Sequence, residues 1–218
     1  KQREVRHALE LTGATRALVD RDDDGLFGQL MAPGAVHDVT GWDEPGEVGA
    51  ASPTASTATP GDDVVLVFSS GTTGLPKAVR HTHASLTAAT RHWVEALGLT
   101  HEDRFQVSTP PSHILGLLNL FAAFQEGASV RLQRRFDIDR ELATIESDRL
   151  TLEMAVAPIV LAVAQHRDLD RFDLSSLRYI MWGATPVTPS VAEAVTARTG
   201  VPILAAYGAS EVPVLAVN

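Results

Sequence analysis

Apolar and polar positions alternate along the chain with two different periods. Residues 1–13, "KQREVRHALELTG", place Val5, Ala8, Leu9 and Thr12 on one helical face, and Gly13 stands where a left-handed cap would end the helix. A short strand, "RALVD", is expected next. From Asp20 to Asp63 neither period is sustained, and "GEVGAASPTASTATPGDD" is rich in Gly, Ser, Thr, Ala and Pro. Such a stretch cannot bury enough apolar surface to fold alone, so an irregular surface connection is expected over 21–63.

Beyond Asp63 the pattern is regular. A strand over 64–68, a polar loop, a second short strand over 78–81 and an amphipathic helix with Leu86, Ala89, Trp93 and Leu97 on one side follow in turn. Five apolar runs, "RFQVST", "ASVRLQ", "TLEMAVA", "LRYIMW" and "PILAAY", then alternate with helices that begin near Ile114, Asp137, Pro158 and Pro189. This alternation predicts an α/β fold whose mostly parallel sheet is flanked by helices on both faces. The expected organisation is a helix–strand piece at 1–20, the connection at 21–63 and an α/β core at 64–218, with no internal repeat.

Charge and composition narrow the choice of partners. The 218 residues carry a formal charge of -9 with a pI near 5.3, a balance that repels polyanions, so neither nucleic acid nor an anionic membrane is an expected partner. Any phosphate must be held by a local site. Absence of cysteine excludes a disulfide framework, a Cys-based zinc site and a thiol nucleophile, and suits a reducing cytoplasm. The longest apolar run, "ILGLLNLFAAF", is too short to span a bilayer and contains Asn119, so it reads as a buried helix. The amino end lacks the apolar centre of a signal peptide.

Candidate chemistry concentrates in "FSSGTTGLPKAVRHTH", residues 68–83. Hydroxyls donate to anionic oxygens, glycines let backbone N–H groups turn inward, and a lysine adds a point charge, which together describe a phosphate cradle. The spacing is not that of a Walker A loop, because Lys77 lies three residues after Gly74 and is followed by Ala78. A flexible polar turn in a hairpin is the alternative for such a cluster. Two further patterns are set aside. "DRDDDG" begins like a calcium loop but has Met31 where a bidentate glutamate is needed, and His81, His83 and His92 lack a carboxylate or cysteine at ligand spacing. The first is expected to be a solvated acidic turn, and the histidines are expected to face solvent.

"SSGTTGLPKAV" closely resembles the signature of the adenylate-forming enzymes: acyl-CoA and aryl-CoA synthetases, luciferases and peptide-synthetase adenylation domains. "PPSHILGL", "MWGATPV" and "YGASEV" are similar to three further motifs of that family, in the same order. The run "APIVLAVAQHRDLDRFDLSSLRYIMWGATPV" resembles most the branch of 4-coumarate:CoA ligases and luciferases. The resemblance covers roughly Asp63 to Asn218, and more faintly the first twenty residues.

The resemblance implies that a carboxylate attacks the α-phosphate of ATP to give an acyl-adenylate and pyrophosphate, after which a thiol takes the acyl group. That thiol would be coenzyme A, as the branch suggests, or one on a carrier protein. By the same resemblance Ser69, Ser70, Gly71, Thr72, Thr73, Gly74 and Lys77 would wrap the β- and γ-phosphates. Glu211 would hold Mg2+, Ser210 would meet the α-phosphate in place of the usual threonine, and Tyr207 and Gly208 would border the adenine. Gly183, Ala184, Thr185 and Pro186 would line adenine and acyl group, and His113 would position the acid at the pocket mouth.

Several positions depart from the family pattern. Ala78 replaces a glycine, Ala205-Ala206 replace a Gln-Gly pair, and Trp182 stands where relatives have a small residue, which implies a preference for short or flat acids unless the indole is simply packed in the core. The resemblance further implies an ATP-ribose aspartate, a hinge and a carboxy-terminal domain that cannot be placed before Asn218. The 218 residues are therefore expected to be a fragment of the large domain, binding ATP weakly, if at all, and turning over poorly. Alternatives are a non-catalytic nucleotide-binding module and an α/β interaction domain without an ATP site.

Overall fold

The chain was analysed as a computed structural model, which describes residues 2–20, 25–40, 56–70, 74–133 and 136–218. The amino-terminal helix α1 (Gln2–Thr12) turns its Val5–Ala8–Leu9–Thr12 stripe inward and ends at Gly13 with φ 64. Strand β1 (Ala17–Val19) follows. The segment expected to be irregular contains a short helix α2 (Leu26–Leu30) and a strand β2 (Val36–Asp38) that pairs in parallel with β1. Three-residue strands leave too little periodicity to read, and their order comes from pairing with a distant partner. Most of the Gly/Ser/Thr/Pro-rich stretch and most of the acidic turn, residues 21–24, lie outside the described residues.

Strands β3 (Asp63–Ser69) and β4 (Lys77–Thr82) form an antiparallel hairpin that closes with Ser69 opposite Lys77. Helix α3 (His83–Leu97) starts directly at its end. Thr82 Oγ1 accepts from Ser85 N at 3.2 Å while Ser85 Oγ accepts from Thr82 N at 2.9 Å, a reciprocal capping box. Helix α1 is tied to the hairpin where His7 Nε2 meets the Pro76 carbonyl at 3.0 Å.

The remaining elements build the main sheet. In chain order these are β5 (Arg104–Val107), α4 (Ile114–Glu126), β6 (Ser129–Leu132), α5 (Ile138–Asp148), β7 (Leu152–Ala155), α6 (Ala157–Ala164), β8 (Tyr179–Trp182), α7 (Pro189–Thr199), β9 (Ile203–Tyr207) and β10 (Ala216–Val217). The spatial order is β6-β5-β7-β8-β9-β10, parallel throughout except for β10, which runs antiparallel to β9. Helices cover both faces. Phe105, Val107, Leu152, Met154 and Met181 pack with Trp93, Leu97 and Leu118 of α3 and α4. Ala155, Ile180 and Trp182 pack on the other face with Leu142, Ile145, Val160 and Val195 of α5, α6 and α7. The period-2 alternation of each strand sends successive residues to opposite cores.

Neighbouring strands β6 and β7 lie on opposite sides of β5, so the chain reverses its direction of winding there. In open α/β sheets, ligands bind outside the carboxyl ends of the strands at such a switch point. Three of the loops that leave those ends, beginning at Ser108, Gly183 and Gly208, supply the candidate site.

Candidate nucleotide and acid site

Each of these loops is held by a specific local device. After β5, His113 caps α4, its Nδ1 accepting from Leu115 N at 3.2 Å. In the neutral ring this puts the proton on Nε2 and leaves that edge as a donor. The loop is drawn against its helix at Gly116, where an added Cβ would lie 2.3 Å from the Pro110 carbonyl oxygen. The imidazole is exposed and borders a cavity of about 210 Å³ lined also by Leu115, Tyr207, Ser210 and Pro213.

After β8, Gly183 is buried and Ala184 adopts φ 64, a left-handed conformation that costs a residue with a Cβ about 1 kcal/mol. The turn is fixed by the Thr185 hydroxyl, which accepts from Trp182 Nε1 at 2.9 Å and from Ala157 N at 3.3 Å. Trp182 is 2 % exposed, packed in the core and also in the wall of a second cavity of about 450 Å³. Pro186, Val187, Ala205 and Tyr207 line the same space. Ala184, Ala206, Tyr207 and Gly208 border both cavities, which therefore adjoin along the end of β9.

After β9 the chain reverses in a tight turn. Ala209 and Val212 exchange backbone hydrogen bonds of 2.9 and 3.1 Å, and Ser210 and Glu211 are its two central residues. Gly208 is required by space, since a Cβ there would lie 2.1 Å from the Pro213 carbonyl oxygen. The Tyr207 side chain is exposed at the strand end. Glu211 is exposed, and its carboxylate makes no bond or ion pair among the described residues. A free carboxylate suits a hard divalent cation as an oxygen ligand.

The hairpin brings the lysine and hydroxyl groups. Lys77 is exposed at its mouth opposite half-buried Ser69; Ser70 is exposed, and Gly74 has φ 89. Gly71, Thr72 and Thr73 lie outside the described residues. His81 is not solvent-facing as its polar sequence context suggested. It is 3 % exposed, and its Nε2 lies 2.8 Å from the Ser210 carbonyl oxygen. His83 is half-buried and His92 exposed. Reasoning from sequence missed His81 because its partner lies 129 residues away.

Beneath the loops lies a buried acidic cluster that sequence reading also missed. Glu141 of α5 and Glu153 of β7 are 0 and 1 % exposed. Gln106 Nε2 donates to Glu153 Oε2 at 2.9 Å, and Ser108 Oγ donates to Glu141 Oε1. Burial, and next the charge and hydrogen bonding of Glu141, push the Glu153 carboxyl well above the usual carboxylate range.

A lysine-bearing polar hairpin, a carboxylate-bearing turn and two adjoining cavities mark this as an α/β protein with a candidate ligand site outside the carboxyl ends of its parallel strands. The family model for AMP-binding enzymes, "AMP-binding enzyme", matches residues 1–218, and the chain belongs to that family. It is 37% identical over 164 residues to 4-coumarate--CoA ligase 1 of Solanum tuberosum, covering 72% of this chain and 30% of the relative. Identity is 39% over 163 residues to 4-coumarate--CoA ligase 2 of Oryza sativa subsp. japonica, with 72% and 29% covered. The matches thus span about a third of those relatives' length. ATP-bound MatB of Rhodopseudomonas palustris superposes with TM-score 0.87 at 20% identity, over 100% of this chain and 44% of that one, and shows the shared fold. O-Succinylbenzoate coenzyme A synthetase (MenE) of Bacillus subtilis, in complex with ATP and magnesium ion, gives TM-score 0.80 at 25% identity, over 97% and 43%. Among the described residues no helix is long and apolar enough to cross a membrane.

Proposed function

We propose that this chain is the nucleotide- and acid-binding part of an ATP-dependent acid–thiol ligase, an acyl- or aryl-CoA synthetase acting through an acyl-adenylate. The carrying observation is that the Lys77 hairpin is joined through His81 to the turn bearing Ser210 and Glu211, which borders the smaller of the two adjoining cavities. Lys77, with Ser69, Ser70, Gly71, Thr72, Thr73 and Gly74, is assigned to the β- and γ-phosphates of ATP. Ser210 meets the α-phosphate, where its hydroxyl stabilises charge that grows as the acid's carboxylate oxygen attacks phosphorus. Glu211 is the residue to hold Mg2+, which when bound neutralises phosphate charge.

Tyr207, Gly208 and the 183–186 turn are assigned to adenine and the near end of the acid, with His113 positioning the carboxylate through its Nε2 edge. Two anions must be held in contact for the displacement, and fixed donors reduce both their repulsion and their freedom. Coenzyme A is the proposed acceptor, as the similarity to 4-coumarate--CoA ligases suggests. The site assignment and a cytoplasmic location are proposals of the same reading.

The test is hydroxylamine trapping of the acyl-adenylate by the full-length gene product, with Mg·ATP and a panel of carboxylic acids. A hydroxamate that disappears in Lys77→Met is expected. ATP binding without hydroxamate for any acid would instead make the protein a non-catalytic nucleotide-binding module.

A further inference from the structure

The structure assigns His81 as a positioning residue that sets the Ser210–Glu211 turn against the Lys77 hairpin. It rests on the function proposed above for those two loops, and it concerns what holds them together. They belong to different sheets: the hairpin is a separate two-stranded unit, and the turn lies between β9 and β10 of the main sheet. His81 bridges them from within β4, four residues after Lys77, with its ring buried and Nε2 2.8 Å from the Ser210 carbonyl.

That carbonyl can only accept, so Nε2 must carry the hydrogen. Ser210 and Glu211 are the central pair of a two-residue turn closed by Ala209 and Val212, and a turn held only at its base swings easily. The bond from His81 grips it at its tip. A strand fixes each backbone position along its length, so the backbone at Lys77 and the backbone of the Ser210–Glu211 turn are held in one arrangement through four residues of β4 and one hydrogen bond. The Ser210 hydroxyl stays free, because the contact uses the backbone oxygen. His81 therefore orients groups without touching ligand.

The test compares wild type, His81→Leu and His81→Gln in the full-length gene product, by Mg·ATP titration and by hydrogen–deuterium exchange. Leu fills the space but removes the donor, and Gln keeps an N–H at similar reach. His81→Leu should weaken Mg·ATP binding about tenfold, the scale of one lost buried hydrogen bond, and speed exchange over 209–212 while strands 104–107 and 152–155 stay unchanged. His81→Gln should restore most of both. Equal affinity and equal 209–212 exchange in wild type and His81→Leu would overturn the assignment, as would equal defects in the two variants. If wild type binds no Mg·ATP, the functional reading fails, and the exchange comparison alone decides for or against His81. Should the leucine variant not fold, the imidazole nitrogen spectrum of wild type decides. A proton on Nε2 with coupling to the Ser210 carbonyl is expected, and an Nδ1-only tautomer overturns the inference.

Discussion

The side-chain amide of Gln106 on β5 donates to Glu153 Oε2 on β7 at 2.9 Å, with neither residue more than 1 % exposed. Glu141 adds a second buried carboxyl, and Gln106 Oε1, Glu141 Oε2 and Glu153 Oε1 all lack a donor. Among the described residues no cation answers them. Arg131, in register with Gln106, pairs with Asp148; Arg104 donates to the Asp148 carbonyl; His166 faces Asp139. A proton on Glu153 supplies the missing donor. Burial and then Glu141 raise the Glu153 pKa above its unfolded value of about 4.3, so its share of stability is complete below that value and is lost as pH rises through the folded pKa. Urea unfolding across that range should show wild type losing about tenfold in its folding constant per pH unit between the two pKa values, relative to Glu153→Gln. Parallel profiles would refute a shared proton.

The ion pair of Arg178 with Asp103 has the opposite dependence. Arg178 Nη1 lies 2.7 and 2.8 Å from the two carboxylate oxygens of Asp103, and its Nη2 donates to the carbonyls of Leu97 and Gly98. Burial raises the Asp103 pKa, but hydrogen bonds from Thr151, Arg178 and Thr100 outweigh it and hold the carboxyl below its ordinary range. Its contribution is present above the unfolded pKa and lost as pH falls through the folded one. Asp103→Asn should cost about 2 kcal/mol at pH 7, and the gap to wild type should close towards pH 3, read by thermal unfolding.

The five parallel strands of the sheet were legible because each carries its own apolar run and the helices between them carry caps or stops such as Asp137, Gly127 and Gly200. The hairpin that carries Lys77 was legible for the same reason, its residues being consecutive. What escaped reading was set by contacts distant in sequence. β2 exists through β1, His81 is buried through Ser210, and the Glu141–Glu153 cluster forms because β5, β7 and α5 meet. An isolated glutamate in "TLEMAVA" shows none of this, and Trp182 seemed to offer a choice between core and pocket wall that the fold does not force.

Gly116 tests how tightly the His113 loop is tied to its helix. A methyl group there would meet backbone oxygens of Pro110 at 2.3 Å and Thr109 at 2.8 Å, which cannot turn aside as a flexible side chain would. Gly116→Ala should cost about 3 kcal/mol and displace the loop, lowering affinity for the carboxylic acid more than for ATP. Calorimetry with each ligand separates the two effects, and equal losses would show that the loop does not address the acid.

Trp182 offers the sharpest test of substrate size. Its ring fills the core behind the β8 loop, and its Nε1 holds the Thr185 hydroxyl that fixes the turn at Ala184. Removing it therefore combines a cavity cost with a loosened turn. Trp182→Ala should lose about 3–5 kcal/mol of stability and enlarge the 450 Å³ space. Trp182→Phe keeps most of the volume, loses only the indole donor, and should fold. If the indole limits chain length, hydroxamate yields with the full-length Trp182→Phe enzyme should shift towards longer acids relative to short or flat ones. Wild type favouring long-chain acids would show instead that the indole wall lies outside the acyl path and serves the turn alone.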